Sequence, residues 1–272
     1  MKKNILITGS TDGIGKLAAI KLAKDGNAIY AHGRNEDKLK AVIAEIKEAS
    51  NNENIKGFVA DFSDVAAVKK MAAQVQQDCS HLDVLINNAG VFKSPIHQTE
   101  GGYDIRLVVN YLAPYLLTKE LLPLLQKATT PRLINLSSAA QAAVSLEALK
   151  GNRQLGAQEA YAQSKLALTM WSFHLAKLYP NITITAVNPG SLLNTNMVRE
   201  AYGRFWSEAD KGGNILYDLA LSEEYEGVTG KYFDNDKGQV KGAFGDAHSD
   251  AYDSVLIEQL ISVTEAVLSS SS

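Results

Sequence analysis

Short runs rich in β-branched and other apolar residues alternate along this chain with longer stretches in which apolar positions recur every three to four residues. The first kind, at residues 4–8, 28–32, 57–60, 84–87, 132–136, 183–187 and 231–233, predicts strands. The second, near residues 14–25, 36–50, 64–78, 160–178 and 250–268, predicts helices. In the first helix Ile14, Leu17, Ala18 and Leu22 share a face, and Gly26 favours termination. Asn35 suits the N-cap of the second, with Glu36 and Asp37 in its positive first turn. This alternation predicts an α/β fold, one doubly wound parallel sheet of about seven strands with helices on both faces. Ligands of such sheets gather at the carboxyl ends of the strands. Thr8-Gly9, Gly33-Arg34, Asp61, Asn87-Asn88, Ser138 and Asn188-Pro189-Gly190 all fall there.

No Pro/Ser/Gly-rich linker divides the chain, so residues 1–268 read as a single domain and residues 269–272 as a polar tail with nothing to bury. Residues 191–227 are weakly periodic but carry Met197, Tyr202, Phe205, Trp206, Leu216 and Tyr217. They suit either a small C-terminal lid over a substrate or a helix pair packed on the sheet. The formal net charge of −3 gives no positive field for nucleic acid. No apolar run reaches the roughly 18–20 residues that span a bilayer. Thr8, Ser10 and Asp12 interrupt the apolar core that a signal peptide starting at Met1-Lys2-Lys3 requires. One cysteine, Cys79, suits a reducing compartment, and the five histidines show no metal spacing. The expectation is a cytoplasmic protein that uses no metal.

Thr8-Gly9-Ser10-Thr11-Asp12-Gly13-Ile14-Gly15 joins the first strand to the first helix. A glycine-rich turn there lets backbone approach a pyrophosphate, which the helix N-terminus attracts. Gly15-Lys16 is followed by Leu17, which leaves no hydroxyl for magnesium and excludes a Walker A loop. At the end of the second strand, His32-Gly33-Arg34-Asn35 offers no carboxylate for a ribose 2′-hydroxyl but an arginine for a 2′-phosphate. NADP(H) is therefore expected over NAD(H).

Tyr-x-x-x-Lys occurs twice, at Tyr115/Lys119 and Tyr161/Lys165. The spacing places both groups on one helix face. Only Tyr161 follows a serine-ended strand, Leu133-Ile134-Asn135-Leu136-Ser137-Ser138; the first pair reads as ordinary helix. Reducing a carbonyl needs an acid at its oxygen, and a phenol beside an ammonium and a positive nicotinamide is expected below its usual pKa near 10.

Together with Asn87-Asn88-Ala89-Gly90 and Asn110, these segments resemble the short-chain dehydrogenase/reductase family over nearly the whole chain, in its retinol-dehydrogenase and carbonyl-reductase-like branch. The resemblance implies a Rossmann-type oxidoreductase. It implies Tyr161 as general acid/base, Lys165 tuning it and holding the nicotinamide ribose, Ser138 polarising the substrate oxygen, and Asn110 maintaining a water-mediated proton route. Cofactor contacts are implied for Gly9, Ser10, Thr11, Gly13, Ile14, Gly15, Arg34, Asp61, Phe62, Asn88, Ala89, Gly90, Tyr161, Lys165, Pro189, Gly190 and Thr195. Two departures stand out. Residues 144–158 are inserted before Tyr161, and after Pro189-Gly190 the usual threonine place holds Asn194, with Thr195 next.

The expected function is NADP(H)-dependent hydride transfer with a small carbonyl/alcohol substrate, a lipophilic aldehyde or ketone if residues 202–206 form a lid. Arg199 and Arg204 leave an anionic substrate open. A non-catalytic NADP(H)-sensing regulator and an epimerase or dehydratase on the same fold are the alternatives. Family members often pair the helices carrying Asn110 and Tyr161 into a dimer; the insertion could instead leave a monomer.

Overall fold

The computed structural model describes residues 2–238 and 241–270. Strand β1 (Asn4–Ile7), helix α1 (Gly13–Lys24), β2 (Ala28–Gly33), α2 (Glu36–Ser50), β3 (Ile55–Val59), α3 (Val65–Asp78) and β4 (Val84–Asn87) make up the first half. The chain continues through α4 (Ile105–Leu107), a π-helical turn (Val108–Leu112), α5 (Ala113–Leu125), β5 (Arg132–Leu136), α6 (Leu146–Leu149) and α7 (Ala157–Leu178). It ends with β6 (Thr183–Asn188), α8 (Asn196–Tyr202), α9 (Asp210–Leu221), β7 (Lys231–Asp234), β8 (Ala243–Gly245) and α10 (Ser254–Ser270).

The strands lie in the order β3-β2-β1-β4-β5-β6-β7-β8, parallel except for the β7–β8 pair. The order reverses between β1 and β4, so a crevice opens at their carboxyl ends. Apolar cores cover both faces. On β1, Ile5 and Ile7 join Leu22, Ile215 and Leu216 on one side, while Leu6 joins Met71, Leu117 and Leu166 on the other. Burial on both sides accounts for strands that read as continuous apolar runs.

All seven expected strands are present, with ends shifted by two residues or fewer. The eighth, β8, escaped the sequence reading because it is three residues long, antiparallel and bracketed by Gly242 and Gly245, so no alternation is visible. The last helix begins later than expected, after a 3-10 turn at Ser249–Tyr252. It also continues into the expected tail, because Ser269 and Ser270 donate back to the carbonyls of Glu265 and Val267 at 2.8 Å each. The remaining serines of that tail, Ser271 and Ser272, lie outside the described residues.

Residues 191–227 divide into two parts. α8 buries none of its residues. α9 packs tightly on α1, where a Cβ at Gly212 would stand 2.6 Å from Ile14 Cγ2. Only the part up to α8 therefore borders the crevice.

Candidate active site

The turn after β1 forms one wall of a cleft of about 490 Å³. Asp12 caps α1 by accepting from Gly13 N at 2.7 Å, which leaves the following amides directed outward. Gly9 sits at φ +63°, and a Cβ there would lie 2.7 Å from Ala89 Cα. β4 supplies the opposing staple. Asn88 Nδ2 donates to the carbonyls of Thr8 (2.8 Å) and Gly9 (3.0 Å), and Thr8 Oγ1 accepts from the amides of Asn88 and Ala89. Asn87 binds Thr118 and Asn135 instead, tying β4 to α5 and β5.

Arg34 lines the mouth, exposed, and forms no ion pair among the described residues. Asp61 lines the same end while accepting from the Ser63 amide and hydroxyl at 2.8 and 2.7 Å. Thr11, Gly13, Ile14, Phe62, Asn88, Ala89, Gly90, Pro189 and Gly190 complete that wall. Ser10 and Gly15 do not line it. Ser10 is buried behind the turn, its hydroxyl accepting from His32 N at 3.0 Å, and Gly15 is covered by the Asn88 side chain. Asn194 and Thr195 point in different directions. Asn194 turns away to Glu208 (2.8 Å) and Arg199 (2.7 Å), whereas Thr195 lines the cleft and caps α8.

At the inner end, Tyr161 and Lys165 project from α7. Lys165 Nζ donates to Leu136 O at 2.7 Å and stands 5.4 Å from the Tyr161 ring centroid. Burial pushes this ammonium down to about 8. The Tyr161 phenol is under two opposing influences. Burial pushes it up to about 12, outweighing the hydrogen bond from Ser138 that acts the other way. Ser138 is half-buried and bonded to that phenol without being one of the lining residues, whereas Ser137 lines the cleft with its hydroxyl turned to Lys165 O (3.1 Å) and Thr169 Oγ1 (2.7 Å).

Asn110 is buried in the π-helical turn, also off the cleft wall. Its side chain clamps Val91, accepting from N at 2.7 Å and donating to O at 3.0 Å, and donates to Ser164 Oγ at 3.0 Å. Pro114, four residues on, has no N–H to offer the Asn110 carbonyl. The missing donor accounts for the wider turn, and the ordinary helix expected around Tyr115 and Lys119 follows it as α5.

The substrate side mixes an apolar stretch with the polar Lys93, Ser94, Asn196 and Glu200. Phe92 lies between Tyr161 (5.0 Å, edge-on) and Tyr202 (5.7 Å, stacked). Buried Arg106 fixes the Phe92 carbonyl at 2.8 Å while paired with Asp104 at 3.0 Å. Val91, Ile96, Ile105, Val109, Met197 and Val198 line the rest of the apolar stretch. Arg199 and Arg204 stay off this lining, Arg199 lying over the Phe205 ring. Around the rim Ile96, Tyr202, Phe205 and Trp206 are exposed, Trp206 to 70%.

His32 and Arg106 went unremarked in the sequence, since nothing in their neighbours separates a working buried polar residue from an ordinary one. Among the described residues no three His, Cys, Asp or Glu side chains gather as a metal site. Nor is any helix there long and apolar enough to cross a membrane.

Comparison with known proteins gives a consistent picture. The family pattern described as short chain dehydrogenase matches residues 3–204. Human polyprenol dehydrogenase is 31% identical over 256 residues, covering 85% of this chain and 76% of that protein. Mouse retinol dehydrogenase 12 is 32% identical, covering 86% and 78%. Among solved structures, a Shigella flexneri short chain dehydrogenase complexed with NADP superposes with a TM-score of 0.68 at 27% identity, over 85% of this chain and 96% of that one. One from Escherichia coli complexed with NADPH gives 0.69 at 26%, over 85% and 95%.

Proposed function

The chain belongs to the short-chain dehydrogenase family and is an oxidoreductase; on that premise we propose that it moves hydride between NADP(H) and a lipophilic aldehyde, ketone or alcohol. The observation that carries this reading is the cleft itself. It joins Arg34, which forms no ion pair among the described residues, and a glycine turn at one end to Tyr161 and Lys165 at the other, and an apolar stretch of wall around Phe92, Ile105, Val109 and Met197 is edged by Lys93, Ser94, Asn196 and Glu200. The residues fit the dinucleotide. Arg34 receives the 2′-phosphate, the α1 N-terminus and the turn receive the pyrophosphate, and Asp61 and Phe62 flank the adenine. Lys165 holds the ribose next to the nicotinamide, and Thr195 meets its carboxamide. The bound nicotinamide supplies or takes up the hydride.

Each side chain then has a definite task. Tyr161, kept protonated by burial, delivers its proton to the substrate oxygen during reduction. Ser138, already bonded to that phenol, shares the same oxygen and stabilises developing negative charge. Lys165 uses one N–H on Leu136 O, leaving two for the ribose and for the phenolate formed as the proton leaves. A water at the Asn110 carbonyl, whose i+4 neighbour Pro114 has no N–H, returns protons toward Lys165. The Phe92–Tyr202 stack and Met197 desolvate an apolar substrate. A monomer is the proposed state, supported by the bonds that tie α10 to Tyr111 of the π-helical turn and Tyr115 of α5, on a helix that a four-helix dimer contact would use; light scattering is expected to give the monomer mass, and a dimer mass would refute it.

The test is a panel of aldehydes and ketones followed by NADPH absorbance. Lipophilic members are expected to turn over and phosphorylated ones not; NADPH binding without turnover of any member would favour a sensor. Arg34→Ala should raise KM for NADPH by about tenfold or more while leaving NADH nearly unchanged. Equal effects on both would refute the 2′-phosphate assignment.

A further inference from the structure

His32 ends β2 and is buried, with 3% of its surface exposed. Its imidazole bridges the segments on either side of β2. Nδ1 accepts from Gly9 N at 3.0 Å, and Nε2 lies 3.0 Å from Ala60 O. An amide N–H can only donate and a carbonyl can only accept, so the proton sits on Nε2 and the neutral tautomer is fixed. The ring stacks on Phe62 at 4.2 Å and 24°. Backbone bonds between Ser10 and His32 run alongside: Ser10 N donates to His32 O at 3.0 Å. Those persist whatever side chain stands at this position; the Gly9 bond does not. Gly9 begins the dinucleotide turn in a left-handed conformation with no side chain of its own, and Ala60 leads into Asp61 and Phe62 on the opposite side of the cleft mouth.

We propose that His32 is a positioning residue for the cofactor. Its Nδ1 holds the Gly9 amide, and so sets the distance between the glycine turn and the 60–62 segment, between which the adenosine end of NADP(H) lies. Burial pushes its pKa down to about 4, so the neutral form that makes both bonds persists at neutral pH. The inference rests on the NADP(H) reading above. A core histidine serving only packing would use either nitrogen equivalently, which gives the test its form. In His32→Asn the amide oxygen takes the place of Nδ1 and keeps the acceptor for Gly9. In His32→Gln the amide nitrogen takes the place of Nε2 and keeps the donor for Ala60. Each variant loses the ring and one hydrogen bond, so a merely structural role lowers both alike.

The experiment is NADPH fluorescence titration of the wild-type chain and the two variants, with steady-state kcat and KM for NADPH on a substrate from the carbonyl panel. His32→Gln is expected to weaken NADPH binding by about tenfold, and His32→Asn by no more than about threefold. kcat at saturating NADPH should hold in both. Wild-type affinity in His32→Gln, or equal losses in the two variants, would overturn the proposal while leaving the proposed function intact. Failure of the wild-type chain to bind NADPH would remove both.

Discussion

Tyr115 and Tyr161 each stand four residues before a lysine on a helix, yet the two pairs end in different chemistry. Tyr115 donates to Glu265 at 2.6 Å, and Lys119 closes on the same carboxylate at 2.7 Å. Burial, and after it the Glu265 charge, pushes the Tyr115 phenol far above its ordinary range. Both groups are committed to tying α5 to α10. Tyr161 instead meets a serine hydroxyl, and Lys165 meets one backbone carbonyl and forms no ion pair among the described residues. The i,i+4 spacing guarantees only a shared face. Whether a carboxylate reaches that face decides between an anchor and a pair left open for the proposed proton transfer.

The largest expected effect breaks the comparison at its phenols. Tyr161→Phe should lower turnover by about 10³-fold, the scale of a lost general acid, with NADPH affinity preserved. Tyr115→Phe should leave kcat unchanged in the same assay. Next come the lysines. Lys165→Met should cost about 10²-fold in kcat, while Lys119→Met leaves turnover intact and, as an exposed pair, changes stability by about 1 kcal/mol or less.

A smaller effect concerns pH. Lys165 titrates near 8 in the folded chain against an ordinary 10.5, so between those values the unfolded state binds more protons. The burial penalty of its charged form is therefore full below pH 8 and is relieved as pH rises toward 10.5. Urea unfolding should show this rise in the wild-type chain and in Lys119→Met, and lose it in Lys165→Met. An effect confined to stability is Glu265→Gln, expected to lower it by about 1–2 kcal/mol without touching KM, since it removes a hydrogen-bond acceptor from a helix clamp.

Much of this was legible in residue order because local chemistry and the fold agree. Asn35 caps α2 as expected, accepting from Lys38 N at 2.8 Å, and the helix spans the expected Glu36–Ser50. The strand-end motifs meet in one cleft because parallel strands carry their carboxyl ends to the same edge. Features that depend on contacts distant in sequence were not legible. Glu265 lies 150 residues from Tyr115, and nothing near either announces the pair. The two nitrogens of His32 acquire different tasks only when β1 and β3 are set beside β2. The different directions of Asn194 and Thr195 were not legible either, since Glu208 and Arg199 bind Asn194 from positions on other segments. The direction of the Tyr161 shift needed the extent of its burial, which outweighs the hydrogen bond from Ser138.

The most direct measurement follows the transferred atom. With NADPH deuterated at both C4 positions and a lipophilic aldehyde or ketone from the panel, the wild-type chain should form an alcohol carrying one deuterium on its carbinol carbon, and Tyr161→Phe should form almost none. An unlabelled alcohol, or labelled alcohol formed by Tyr161→Phe at the wild-type rate, would contradict the account.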